Sequence, residues 1–241
     1  MTSRIGRRAL ITGASSGIGK ATALAFANAG IDVALVSRSQ DKLEAVAKAA
    51  SEAGVEAKAY TLDLAEIEQV KVGIEAIAAD FAPLDILVNN AGMAYTNSLS
   101  ETPLSDWQRV IDLNLTSVFQ CILGILPAMR NQQRGTIINV ASIAGQQPFP
   151  MWGAYNVSKA GLIALSKTLA AEERSHGIRV VTISPGAVNT PLWDTDTVQV
   201  DLNRSAMLTP EIVAQSILHT ALLPEQAVIE SVTLMPSAGA L

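Results

Sequence analysis

The 241-residue chain holds one cysteine, two histidines and only 4% aromatic residues. A lone thiol excludes an intrachain disulfide framework and fits a reducing compartment. Cys121 lies in an apolar helical run and reads as a buried structural thiol. With so few sulfur and imidazole groups, a zinc site and a Ser-His-Asp triad both lack members. No metal site is expected, and His176 and His219 read as structural or surface side chains. Charge is sparse, and 17 Lys+Arg against 22 Asp+Glu leave a net charge of −5, the wrong sign for a general nucleic-acid-binding face. Basic residues follow Met1 without the apolar core of a secretion signal. No stretch reads as approaching the ~20 apolar residues of a membrane span. The expectation is a soluble cytoplasmic protein with neither nucleic acid nor membrane as partner.

What the chain does have is alternation. Apolar strand signals at Ala9–Thr12, Val33–Val36, Lys58–Leu62, Leu84–Val88, Thr136–Val140, Arg179–Ile183 and Val232–Met235 are separated by helical patterns. The helices are expected at Lys20–Ala29, Asp41–Ala53, Glu66–Phe81, Leu104–Met129, Tyr155–Arg174 and Pro210–Leu223. Repeated strand–helix order argues for parallel strands joined by crossover helices. Continuous apolar strands fit a sheet covered on both faces. The expected fold is α/β, a doubly wound parallel sheet of about seven strands of the Rossmann type. No linker or repeat suggests a second domain, so residues 1–241 read as one dinucleotide-binding unit. The long irregular stretch at about 185–209 reads as a substrate loop.

Four segments at strand ends carry candidate cofactor-binding chemistry. Gly13, Ser15, Ser16, Gly17, Ile18 and Gly19 form a glycine-rich turn between a strand and a helix. Glycines there permit a tight turn and close approach of a pyrophosphate to a helix N-terminus. The spacing Gly-x-x-x-Gly-x-Gly is neither the commonest dinucleotide fingerprint nor a P-loop. At the end of the second strand stand Ser37, Arg38 and Ser39, where an acidic residue would bind the 2′-hydroxyl of NAD and an arginine the 2′-phosphate of NADP. At the end of the third, Asp63 with Leu64 serves either the adenine amino group or the cap of the following helix. Asn89, Asn90, Ala91 and Gly92 leave the fourth strand, as a plain turn or as a path beside the cofactor.

Tyr155 and Lys159 stand four residues apart, on one helix face. A tyrosine with a pKa of about 10 is a poor acid–base catalyst near neutrality, and a neighbouring cation is expected to lower that value. The pair is therefore a candidate proton donor.

The ordered set of Thr12-Gly13-x-x-x-Gly17-x-Gly19, Asn89-Asn90-Ala91-Gly92, Asn114, Ser142, Tyr155-x-x-x-Lys159 and Pro185-Gly186 resembles the short-chain dehydrogenase/reductase family over essentially the full chain. That resemblance implies roles. Tyr155 would be the general acid in carbonyl reduction and the base in alcohol oxidation, and Ser142 would hydrogen-bond the substrate oxygen. Lys159 would bind the nicotinamide ribose and lower the pKa of Tyr155, while Asn114 would hold a water linking Lys159 to solvent. Pro185, Gly186, Val188 and Thr190 would line the nicotinamide. NADP(H) is the expected cofactor, and a homotetramer or homodimer the expected assembly.

The substrate pocket is expected to draw on Ser142, Tyr155, Met93, Phe149, Trp152 and Trp193. No lysine or arginine occurs in 143–152 or 185–203, and an anionic substrate would want a fixed cation. The expected substrate is a small, neutral, fairly apolar carbonyl or alcohol. The nearest alternative in the family is reduction of a 3-oxoacyl thioester, although the ending Leu234–Gly239 departs from the glycine-rich pattern associated with that subgroup. A non-catalytic dinucleotide sensor is the other alternative; the intact Asn114, Ser142, Tyr155 and Lys159 favour an enzyme.

Overall fold

The computed structural model describes residues 6–200 and 203–239. Residues 1–5, on which part of the secretion-signal reading rests, and residues 201–202 of the substrate loop lie outside the described residues.

Seven parallel strands form one sheet in the order β3-β2-β1-β4-β5-β6-β7. They are β1 (Arg8–Thr12), β2 (Asp32–Ser37), β3 (Ala57–Thr61), β4 (Ile86–Asn89), β5 (Gly135–Val140), β6 (Ile178–Pro185) and β7 (Ser231–Leu234). Helices α1 (Gly17–Asn28), α2 (Gln40–Ser51) and α7 (Pro210–Ala221) cover one face, and α3 (Ile67–Asp80), α5 (Ser117–Gln132) and α6 (Gly153–Glu173) the other. The strands serve both faces because successive side chains point opposite ways. Ala9 and Ile11 of β1 pack with Phe26, Leu43 and Ile217, whereas Leu10 between them packs with Ile74, Phe81 and Ile122. Both sets are essentially inaccessible to solvent, which explains why the strands read as unbroken apolar runs.

The expected Leu104–Met129 helix is three pieces. Helix α4 (Leu104–Ile111) runs into a π-helical turn, Asp112–Thr116, and continues as α5. The extra backbone residue in that turn is invisible to apolar periodicity. The stretch Leu104–Gln132 is also long and apolar enough to cross a membrane by length and composition, contrary to the sequence expectation. Val118, Ile122, Ile125, Leu126 and Met129 of this stretch pack on α3 and the sheet, which accounts for much of the composition. Cys121 sits in this layer, 1% exposed, with burial pushing its thiol up to about 12. His176 lies 3.2 Å from Glu173, which also pairs with Arg130, and His219 is exposed on α7.

Candidate active site

β1 and β4 are neighbours, and the chain winds outward from them in opposite directions. Their C-terminal ends therefore open a crevice at the point where strand order reverses, the usual ligand site of open parallel sheets. Gly13 leaves β1 at φ +65° and Gly17 opens α1 at φ +52°, a region that side chains avoid. At Gly19 a Cβ would collide with the Gly13 carbonyl oxygen and stand 2.6 Å from Asn90 Nδ2. Asn90 braces this turn by donating to the carbonyl oxygens of Thr12 (3.0 Å) and Gly13 (3.3 Å). Thr12 answers from beneath: its Oγ1 accepts from the N–H groups of Asn90 (3.0 Å) and Ala91 (3.1 Å) and donates to Val88 O (3.4 Å).

Ser16 occupies the N-cap of α1 with no side-chain cap bond, and the first turn carries no carboxylate. The amide end of the helix is thus left to an anion. Helix α1 begins at Gly17, three residues before the sequence expectation, because the glycine turn is itself the helix start. This bare helix end and the cradle that no Cβ fits suit the pyrophosphate of a dinucleotide. Ser15 and Ile18 belong to the same turn and are partly buried.

Further along the rim, Ser37 keeps a buried hydroxyl with no partner. Arg38 is exposed and joins none of the ion pairs among the described residues. Asp32, at the far end of β2, is taken by Arg8 and by the Glu56 N–H. Among the described residues, no carboxylate therefore stands where a ribose 2′-hydroxyl would be read. One Asp63 oxygen accepts from Ala65 N (2.9 Å), which closes a turn; Glu66, not Asp63, holds the N-cap position of α3. Leu64 is 4% exposed and packs in the core beside Val70 and Ile74, so its side chain does not reach the rim.

The catalytic candidates converge where β5 meets α6. Lys159 is 5% exposed, and its Nζ donates to Val140 O (2.9 Å) and stands 5.8 Å from the centre of the Tyr155 ring. Burial pushes this ammonium down to about 8. Ser142, just after β5, is 8% exposed, and its Oγ accepts from Ala144 N (3.1 Å). Its hydroxyl is also near enough to the Tyr155 phenol to favour the phenolate.

The expectation that Lys159 lowers the pKa of Tyr155 is not met. Burial raises the phenol above its ordinary value, and the neighbouring Ser142 hydroxyl opposes that only in part. The cause is desolvation of the phenolate, while the lysine's charge is turned to the Val140 carbonyl. The phenol is left protonated at neutral pH, the form required of a general acid.

Asn114 lies in the π-helical turn and is wholly buried; such turns are frequent at functional sites. Its amide donates to Met93 O (2.9 Å) and Ser158 Oγ (3.1 Å) and accepts from Met93 N (2.8 Å). It clamps the Gly92–Met93 segment against α6. A Cβ on Gly92 would lie 3.1 Å from Asn114 Oδ1 and 3.6 Å from Lys159 Nζ, so Gly92 stands between the two. Deeper still, Asn89 donates to Asn139 Oδ1 (2.9 Å), and Asn139 to Ser166 Oγ (2.8 Å), which ties β4, β5 and α6 together beneath the site.

The substrate loop is more ordered than a bare irregular stretch. β6 runs on to Pro185, Val188 bridges to Leu208, and 3₁₀ turns occupy Pro191–Asp194 and Arg204–Ala206. Gly186 N bonds Leu234 O (2.7 Å), and Pro236 and Met235 leave no spare room at its Cα. The Thr190 methyl would lie 3.2 Å from a Cβ on Gly17, which places Thr190 over the start of α1. Thr197 Oγ1 donates to Ala94 O (2.7 Å), and Thr96 N to Thr197 O (2.9 Å), lacing the loop to the segment after β4.

Arg204 donates to Asn189 Oδ1 (2.8 Å), Asp194 Oδ1 (2.8 Å) and Thr190 O (3.0 Å). A cation does therefore approach the loop, although these partners engage it. Trp152 packs edge-on against Tyr155 at 5.4 Å and against Trp193 at 5.8 Å. Phe149, three residues before Trp152, and Met93 on the segment after β4 are partly buried. The Phe149 carbonyl accepts from Asn156 Nδ2 (2.9 Å). A cavity of about 360 Å³ lined by Tyr95, Thr96, Asn97, Met151, Thr197 and others lies between the same two segments.

Sequence reasoning placed Thr12 in the turn motif but gave it no role of its own, and it missed Asn139, Ser166 and Arg204. A hydroxyl ending an apolar strand and an amide inside one were visible signals for Thr12 and Asn139. Nothing local marked Arg204, whose partners are set by loop closure.

The short chain dehydrogenase family matches residues 7–200 of the chain. A 3-oxoacyl-[acyl-carrier-protein] reductase FabG of Staphylococcus epidermidis is 42% identical over 183 residues, 76% of this chain and 75% of that protein. The 3-oxoacyl-[acyl-carrier-protein] reductase of Synechocystis is 37% identical, with 99% of this chain and 98% of that one covered. Among solved structures, a metagenomic short-chain oxidoreductase in complex with NADP superposes with a TM-score of 0.84 at 31% identity, covering 96% and 97% of the two chains. An alcohol dehydrogenase from Thermococcus sibiricus complexed with 5-hydroxy-NADP gives 0.89 at 28%, covering 98% of each. With that match, these relatives and the crevice described above, the chain belongs to the short-chain dehydrogenase family, oxidoreductases that bind a nicotinamide dinucleotide.

Proposed function

We propose that the protein is an NADP(H)-dependent oxidoreductase that converts a small, neutral, fairly apolar ketone or aldehyde to its alcohol, or runs the reverse. The observation that carries this reading is the meeting of Ser142 and Tyr155 beside a buried Lys159, with the phenol held protonated. When bound, the dinucleotide supplies or accepts the hydride.

The chain's own residues do the rest. The Ser142 and Tyr155 hydroxyls donate to the carbonyl oxygen, where negative charge builds as the carbon is reduced. Tyr155 then delivers its proton to that oxygen, and in oxidation the phenolate takes the proton back. Lys159, with two N–H donors beyond the one on Val140, would hold the nicotinamide ribose. The Gly13–Gly19 turn would hold the pyrophosphate, Asn90–Gly92 the adjoining ribose, and Val188 and Thr190 the carboxamide side. Asn114 positions Met93 and α6 rather than touching the reacting atoms.

Support for NADP(H) over NAD(H) comes from the unpaired Arg38, the unpartnered Ser37 hydroxyl and the lack of a carboxylate at the end of β2. The test is a titration of both cofactors into the purified protein, repeated with Arg38→Asp. NADPH should bind more tightly, and the variant should lose that preference. Tighter NADH binding by the parent protein at low salt would overturn the assignment. A second reading, 3-oxoacyl-thioester reduction, is favoured by the names of the two curated relatives. A carbonyl panel containing simple ketones and a 3-oxoacyl thioester separates the two through NADPH consumption.

A homotetramer or homodimer is part of this reading. Leu104, Phe119 and Val157 are 79%, 42% and 47% exposed on α4, α5 and α6, and symmetric pairing would cover them. Light scattering that finds only the 25.3 kDa monomer would contradict it. The buried, unpaired thiol of Cys121 suits a reducing cytoplasm.

A further inference from the structure

The aromatic residues are too few to be scattered filler. All three tryptophans are accounted for by Trp107, which packs in the small cluster with Tyr95, Val110 and Ala154, and by Trp152 and Trp193. The latter pair is joined to the proton donor by ring contacts. Tyr155, Trp152 and Trp193 form a row of three rings, each edge-on to the next, with interplanar angles of 66° and 71°. Trp152 precedes α6 and Trp193 belongs to the substrate loop, so the row bridges two separate segments. Both indoles keep some exposure.

Aromatic rings prefer offset or edge-to-face neighbours at centroid distances of about 4.5–7 Å. A row that begins at the catalytic phenol and remains partly open can be extended by one more ring. Trp193 is also tethered, since its Nε1 donates to Val188 O at 2.7 Å. The wall is thereby fixed to the backbone expected to line the nicotinamide.

We propose that Trp152 and Trp193 form a selectivity wall for carbonyl substrates that bear a flat unsaturated group, an aryl or conjugated substituent, on the carbonyl carbon. This rests on the carbonyl-reductase reading above and narrows its substrate class. The Tyr155 phenol faces the carbonyl oxygen, and the substituent packs against the exposed parts of the indole rings beside it. A saturated ring of the same size fills the volume but has no π face or polarised edge to offer. The indole N–H of Trp193 has a separate duty, which is to position Val188.

The two duties come apart in a matched experiment. Phenyl and cyclohexyl methyl ketones are compared by kcat/KM in the parent, Trp193→Phe, Trp193→Leu and Trp152→Leu proteins, and NADPH affinity is measured in each by fluorescence titration. The parent should prefer the phenyl ketone. Trp193→Leu and Trp152→Leu should lower the phenyl-to-cyclohexyl ratio by about 2- to 12-fold, the range for one aromatic pair. Trp193→Phe should keep most of the ratio while weakening NADPH, because the ring survives and the N–H does not. Trp193 lies on the surface loop, so its variants serve even where Trp152→Leu fails to fold. A parent that reduces both ketones equally well, or ratios unmoved by Trp193→Leu, would overturn the wall. A parent that binds NADPH and reduces neither these ketones nor any other carbonyl would remove the reductase reading itself, and the wall with it.

Discussion

Thr12 is the buried hydroxyl on which the cofactor turn and the Asn90–Gly92 segment both depend, and Thr12→Val tests that. Valine matches threonine in shape but offers no oxygen. The substitution strands two N–H donors, those of Asn90 and Ala91, that now meet Oγ1 at 3.0 and 3.1 Å. Leaving a buried donor unsatisfied costs about 1–3 kcal/mol. Asn90 and Ala91 are only part-buried, so water recovers some of this, and a total loss of about 2–3 kcal/mol is expected. Thr12→Ser keeps the oxygen and deletes one methyl at a site 1% exposed, which should cost about 1 kcal/mol. Urea denaturation followed by circular dichroism gives both stabilities, and NADPH titration reads the turn itself. The valine variant should be the less stable and should bind NADPH more weakly, whereas the serine variant should bind normally. If valine proves as stable as serine and binds NADPH equally well, Thr12 is not the link between the two segments.

Further outcomes follow from the same geometry. Tyr155→Phe should bind NADPH normally but lose about 10²–10⁴-fold in single-turnover reduction; a parental rate would end the mechanism. Lys159, with its pKa depressed from 10.5 to about 8, is neutral in the fold but protonated in the unfolded chain between those values. Its contribution to stability should therefore rise with pH across that window. The burial penalty is present in full below pH 8, on the order of 3 kcal/mol. Cys121 and Tyr155 act in the opposite direction at high pH, because their protons are held more tightly in the fold. The parent minus Lys159→Met difference curve, from denaturation at several pH values, should isolate the rise; a flat difference would contradict it. Arg204→Ala should free the substrate loop at a cost under about 1 kcal/mol, its bonds being largely exposed. Limited proteolysis should then cut more rapidly between residues 189 and 204, and unchanged cleavage would show that Arg204 does not latch the loop.

Much of the fold was legible in the chain because its signals are local. Apolar runs, glycines after strands and helical periods repeat within a few residues of each other, and they recover all seven strands to within a few positions. The same holds for the glycine turn and for Tyr155 and Lys159, whose four-residue spacing places them on one helix face without reference to anything else. Other features depend on partners distant in sequence. Asn114 bonds residues 21 and 44 positions away, and only packing shows that it clamps a loop. The apolar Leu104–Gln132 stretch is compatible by composition with a membrane or a core, and the layer that α3 and the sheet build around it decides.

The rise in the Tyr155 pKa was the clearest reversal. Spacing brings a cation near the phenol, but desolvation is a property of everything that surrounds a group. The Trp152–Trp193 contact and the Arg204 bonds likewise arise when a loop closes over the crevice. Sequence by itself determined which elements form and which chemical groups reach one rim of the sheet, because hydrophobic periodicity and steric limits act over short range. Tertiary structure alone decided the protonation, partners and exposure of those groups, because burial and electrostatics sum over neighbours that the chain order does not reveal.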